Sequence, residues 1–134
     1  MSKSTAVVVG VGAERGLGAA LCRRFAQGGH HVLVAGRTAA KINKVAEAIV
    51  SSGGSAEPIV TDATLEQDVV RLFDRAMAPG GAREAAELVV YNAGGNQKAD
   101  FRELSAELFE RFWRVGCFGE IGRASCRERV FSSV

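Results

Sequence analysis

The sequence predicts an α/β fold, a doubly wound parallel sheet, from three observations. Apolar runs of strand length alternate with amphipathic stretches, four strands in all. The stretches between them are long enough to be helices crossing from one strand to the next, which requires parallel pairing. The first run ends directly in a cluster of glycines, as a strand does when it turns sharply into a helix.

Composition fits one domain. With 134 residues, 47% apolar and 24% charged, the chain resembles an ordinary globular protein and argues against disorder over most of its length. The net charge is +2 with lysine and arginine scattered, so no nucleic-acid partner is expected. Cys22, Cys117 and Cys126 are an odd set without close pairing, which argues against a disulfide framework and against a metal site. A reduced, cytoplasmic setting is the expectation. The opening MSKSTAVVVG holds too short an apolar run for a signal peptide or a membrane span, and no membrane partner is expected.

Thr5 to Val9 is a β-branched strand of the kind buried on both faces. From Gly16 to about Ala26, Leu17, Leu21 and Phe25 recur at four-residue spacing and predict a helix whose inner face they form, ended by GGH at 28–30. His31 to Ala35 is the second strand. Ile42, Val45, Ala46 and Ile49 mark the second helix, which SSGGS closes. EPIVT at 57–61 is the third strand. Thr64 and Gln67 then have the spacing of a capping box for a helix with Leu65, Val69, Leu72, Phe73 and Ala76 inward. After the loop APGGA comes a fourth strand, ELVVY, ending in NAGG; Ser105 opens a last helix with Leu108, Phe112 and Val115 in register. His30 and His31 are expected to start the second strand without holding a ligand.

The turn after the first strand reads GVGAERGLG, placing Gly10, Gly12, Gly16 and Gly18 at the mouth of the first helix. Glycine is needed where backbone must approach a pyrophosphate without Cβ atoms in the way, while the helix N-terminus offers unpaired N–H groups to the phosphate oxygens. Without a following Gly-Lys-Ser/Thr, a mononucleotide loop is disfavoured.

GAERGLG, followed after three β-α units by YNAGG, resembles the short-chain dehydrogenase/reductase family, whose glycine motif is TGxxxGxG and whose fourth strand ends in NNAG. The likeness runs from about Thr5 to Gly119 and departs at Val11, usually Thr, and at Tyr91, usually Asn. It implies a Rossmann-type sheet truncated after about four strands, a nicotinamide cofactor, a small-molecule carbonyl or alcohol substrate for the intact protein, and a homo-oligomer. Cofactor contacts are implied for Gly12, Arg15, Gly16, Leu17, Gly18, Arg37, Asp62, Ala63, Asn92, Ala93 and Gly94. Asp62 in the family bonds the adenine, and helix capping is its competing local role. Asn92, Ala93 and Gly94 resemble the turn that closes over the adenine ribose. Phe112 and Trp113 are read as helix packing, against a partner subunit in the intact fold.

An NAD-preferring protein usually carries Asp or Glu after the second strand, for the ribose hydroxyls, whereas a 2′-phosphate calls for a cation. Here Gly36 stands at that place, Arg37 follows, and Arg15 precedes the second glycine of the motif. NADP is therefore expected over NAD.

The catalytic residues implied by the resemblance cannot be placed: Gly116 stands where an Asn is usual, the Ser and Tyr-x-x-x-Lys have no counterpart, and Tyr91 has no Lys four residues on. No catalytic residue is assigned, and the chain alone is expected to be inactive. A non-catalytic dinucleotide-binding module, a sensor or scaffold, is the alternative. Residues 120–130, EIGRASCRERV, resemble translated sequencing-adapter DNA, and periodicity stops there. Phe131 to Val134 are not explained by that resemblance. The expected organisation is a dinucleotide-binding domain at 1–119, incomplete, followed by a non-native or disordered tail at 120–134.

Overall fold

The computed structural model describes residues 2–78, 80, 83–94 and 100–118, the last two without their side chains. Its elements are β1 (Lys3–Val9), α1 (Leu17–Gln27), β2 (His31–Gly36), α2 (Ala39–Ser51), β3 (Ser55–Val60), α3 (Glu66–Met77), β4 (Arg83–Tyr91) and α4 (Ala106–Trp113), continued by a π-helical segment, Arg114–Phe118. The adapter-like stretch lies outside the described residues.

The sheet order is β3-β2-β1-β4 and every pairing is parallel. Successive strands step to one side of β1 and then, after β3, the chain crosses to the other side. This reversal is the doubly wound arrangement, and it opens a crevice at the carboxyl ends of β1 and β4.

Side chains of β1 and β2 alternate between two apolar layers. Val8, Val32 and Val34 pack with Ala19 and Cys22 of α1 and with Ile42, Val45, Ala46 and Ile49 of α2. Val7, Val9, Leu33 and Ala35 face the other way, against Leu72 and Ala76 of α3. Both faces of the central strands are therefore covered, which is why their sequences are continuously apolar. Burial pushes the Cys22 thiol up to about 12, leaving it an inert core residue.

Three expectations are corrected. The inner face of α1 is Gly18, Ala19 and Cys22; Leu21 and Phe25 only flank it, and Leu17 is 65% exposed. Small residues let α1 lie close to the sheet, whereas the Leu17 side chain stays largely in solvent. The capping box at Thr64 and Gln67 does not form, because Asp62 Oδ1 accepts from the Thr64 N–H (2.9 Å) and hydroxyl (2.6 Å) in an Asx turn. Asp68 in the first turn of α3 accepts the Asp62 N–H at 2.9 Å instead, and Leu65 is exposed. β4 also starts earlier than its apolar run. Arg83 is 8% exposed and donates to the carbonyls of Arg75 (2.8 Å) and Ala78 (2.7 Å), closing the C-terminal end of α3.

At the opposite pole of the sheet from the crevice, Arg75 makes a bidentate pair with Glu57 of β3 (3.0 and 2.8 Å), and the His31 ring meets Ser55 at 2.6 Å. His30 lies just before β2, its ring 2.9 Å from the Ser4 hydroxyl. No helix among the described residues is long and apolar enough to cross a membrane.

Candidate functional site

The glycine turn is held between the ends of three strands. The N–H groups of Gly10 and Val11 both donate to the Ala35 carbonyl of β2 at 2.9 Å, and the Asn92 N–H donates to the Val9 carbonyl at 2.7 Å. Two glycines are required by close approach. Gly10 has φ +96°, and a Cβ there would stand 2.3 Å from the Ala93 nitrogen. A Cβ on Gly18 would stand 2.9 Å from the Gly10 carbonyl oxygen.

Gly12 differs, because nothing lies within 4 Å of the Cβ it lacks. It borders a cleft of about 790 Å³ at the carboxyl ends of the strands. One wall is the end of β2 with the start of α2: Gly36, Arg37, Thr38 and Lys41. The floor is Thr61 to Thr64 and Asn92 to Gly94; the far wall belongs to α4 and its π-helical continuation, including Glu107, Glu110, Phe112, Arg114 and Val115.

Of the residues read from sequence, Gly12, Arg37, Asp62, Ala63, Asn92, Ala93 and Gly94 are thus brought together around one cavity. Gly16, Leu17 and Gly18 sit at the start of α1, outside the lining. The N–H groups of Leu17, Gly18 and Ala19 have no acceptor among the described residues, and the first turn of α1 carries no acid. Arg15 is exposed on the loop and does not line the cleft.

Several side chains have roles that the sequence did not reveal. Asp62 shapes its own loop through Thr64 in an Asx turn and does not cap α3, whose N-cap is Leu65 without a side-chain bond. Phe112 turns into the cleft rather than to the outer surface, with the Arg111 guanidinium 5.7 Å from its ring centre. Trp113 and Phe109 are the exposed apolar residues of α4. The Tyr91 hydroxyl donates to the Val115 carbonyl, tying the end of β4 to the π-helical segment. Val11 is buried against the α1–α2 layer, so its departure from the usual Thr adds to the core. Thr38 and Lys41 line the cleft and were not singled out by any motif. Lys41 could have been found from its place on the first turn of the helix after Gly36 and Arg37.

Gly36 also has a different meaning from the one its sequence position gives. A Cβ there would meet the Val11 carbonyl oxygen at 2.2 Å and Ile42 Cγ2 at 2.7 Å. Its lack of a side chain is a packing requirement of the glycine turn, and no carboxylate fits at that position as the backbone stands.

A family model described as short chain dehydrogenase matches residues 5–125. Among curated proteins, the chain is 35% identical over 114 residues to the cis-4-hydroxycyclohexanecarboxylate dehydrogenase of Sinomonas cyclohexanicum, covering 84% of this chain and 44% of that protein. It is 33% identical over 125 residues to the glucose 1-dehydrogenase of Gluconobacter oxydans, covering 92% and 45%. The chain thus spans under half the length of these relatives. Among solved structures, a hydroxysteroid dehydrogenase from Escherichia coli superposes with a TM-score of 0.82 at 28% identity, over 93% of this chain and 51% of that one. A gluconate 5-dehydrogenase from Burkholderia cenocepacia, in complex with NADP and tartrate, shares the fold with a TM-score of 0.80 at 23% identity, over 96% and 49%.

Proposed function

The chain belongs to the short-chain dehydrogenase family of oxidoreductases, and from that premise we propose that it is the nucleotide-binding part of an NADP(H)-dependent enzyme acting on a small-molecule carbonyl or alcohol. The observation that carries the cofactor choice is Arg37, exposed in the cleft immediately after a Gly36 at which packing leaves no room for an acid.

The residues present fit such a cofactor. The unpaired N–H groups at the start of α1 and the open space at Gly12 suit a pyrophosphate, with Gly16, Leu17 and Gly18 supplying the backbone and Arg15 within the same loop. Asp62 and Ala63, which line the cleft, would border the adenine, and Asn92, Ala93 and Gly94 the ribose. The nicotinamide supplies or accepts the hydride when bound. In this proposal residues 1–119 are the domain that holds the nucleotide, the setting is cytoplasmic, and the whole protein is a homo-oligomer.

The second possibility is a binding module without catalysis, a sensor or scaffold. Tyr91, whose hydroxyl bonds the Val115 carbonyl, has no lysine four residues on and serves neither reading as a catalytic residue. A genomic read past Gly119 separates the two: a Ser and a Tyr-x-x-x-Lys downstream support the enzyme, and a stop supports the module.

The cofactor assignment is tested by titrating NADPH and NADH into the chain and into Arg37→Ala. Loss of a charge-assisted phosphate contact weakens NADPH about tenfold and leaves NADH nearly unchanged. Equal losses for both nucleotides overturn the assignment.

A further inference from the structure

Lys41 stands on the first turn of α2, beside Ile42, which points into the core, and it lines the same end of the cleft as Arg37. Neither cation makes an ion pair among the described residues, and the first turn of α2 contains no acid. Two like charges near the positive end of a helix dipole, without a counter-charge, are unfavourable for the free chain. An anion between them removes that penalty.

The carboxylates of the cleft are placed elsewhere. Asp62 has Oδ1 occupied by Thr64, and Glu107 and Glu110 lie on α4, Glu110 already paired with Arg114 at 2.9 Å. Gly36 admits no acid for the reason given above. Resting on the NADP assignment, we propose that Lys41 is a second ligand of the 2′-phosphate, so that two cations share its recognition. Arg37 offers a planar fork that fixes orientation, and Lys41 adds a compact charge on a flexible stem.

The test uses the adenosine end of the cofactor alone, by calorimetric titration of adenosine 2′,5′-bisphosphate and adenosine 5′-monophosphate. Lys41 is exposed, so Lys41→Met folds as the unmodified chain does, checked by its thermal unfolding midpoint. The bisphosphate is expected to bind about tenfold more weakly to Lys41→Met, the monophosphate to bind unchanged, and Lys41→Arg to recover most of the difference. A preference for the bisphosphate that survives intact in Lys41→Met overturns the role of Lys41 and leaves the NADP assignment standing. No preference in the unmodified chain overturns both.

Discussion

The carbonyl oxygen of Val11 stands 2.2 Å from the point a Cβ would occupy on Gly36. This contact joins the glycine turn to the end of β2, where two hydrogen bonds from Gly10 and Val11 to Ala35 already hold it. Any side chain at Gly36 must push backbone, not a flexible side chain. Gly36→Ala is therefore expected to lose about 1–3 kcal/mol of stability, and Gly36→Asp at least as much. Gly36→Asp should also fail to raise NADH affinity, because the displaced turn is the one proposed to receive the pyrophosphate. Denaturant unfolding and nucleotide titration of both variants check this; a stable Gly36→Asp that gains NADH binding would refute it.

Arg83 is the clearest stability residue outside the core. Its guanidinium bonds two backbone carbonyls at the end of α3 while its backbone begins β4, so one side chain fixes the connection between them. Arg83→Met keeps the aliphatic stem and leaves both carbonyls without that donor. A loss of about 1.5–3 kcal/mol is expected, read as a lower urea midpoint with an unchanged slope. An unchanged midpoint would show that solvent replaces the guanidinium at no cost.

Stability should fall toward acid in two stages. Burial holds the His31 imidazole below its ordinary 6.5, outweighing the pull of Glu57 in the other direction. As pH drops below that ordinary value the unfolded chain binds the proton first, so stability declines with falling pH from about 6.5. Glu57 behaves as a paired acid: Arg75 holds its carboxyl below the ordinary 4.5, and the stability this gives is full above 4.5 and lost as pH falls through the lower folded value. Both effects act in the same direction. Thermal midpoints measured from neutral pH downward should show the upper stage vanish in His31→Gln and the lower one in Glu57→Gln.

The second helix was legible in the sequence residue by residue, since Ile42, Val45, Ala46 and Ile49 are the four positions it buries. Periodicity succeeded there because large apolar side chains fill the space between helix and sheet. It misplaced the face of α1 because close approach, enforced by Gly18, Ala19 and Cys22, selects for small size, and Leu17 was apolar without being inward. The start of β4 was missed because Arg83 and Glu84 do not read as strand, although burial of Arg83 is what anchors it. Strand ends bring Gly12 of the glycine motif and Asn92 to Gly94 of the NAGG motif to one cleft, while Arg15, Gly16, Leu17 and Gly18 lie outside its lining. Lys41 escaped notice because one lysine on a helix surface carries no signal until the fold shows which surface is concave.

The bond between Asn92 and the β1 loop has a kinetic consequence. The Gly10 and Val11 amides pair with Ala35, a contact between neighbouring elements, whereas the Asn92 side chain reaches the Gly10 carbonyl across 82 positions of sequence, and its backbone amide bonds Val9. Closing that long loop costs entropy before β4 is in place to repay it, so the distant contact is expected to form late. The half of the cleft made by β1 and β2 then assembles first, and the wall at Asn92 to Gly94 arrives last. Pulsed hydrogen exchange during refolding should find the Val11 amide protected before the Asn92 amide. A nucleotide added early would meet a turn that has its glycines in position but is still missing one of its walls.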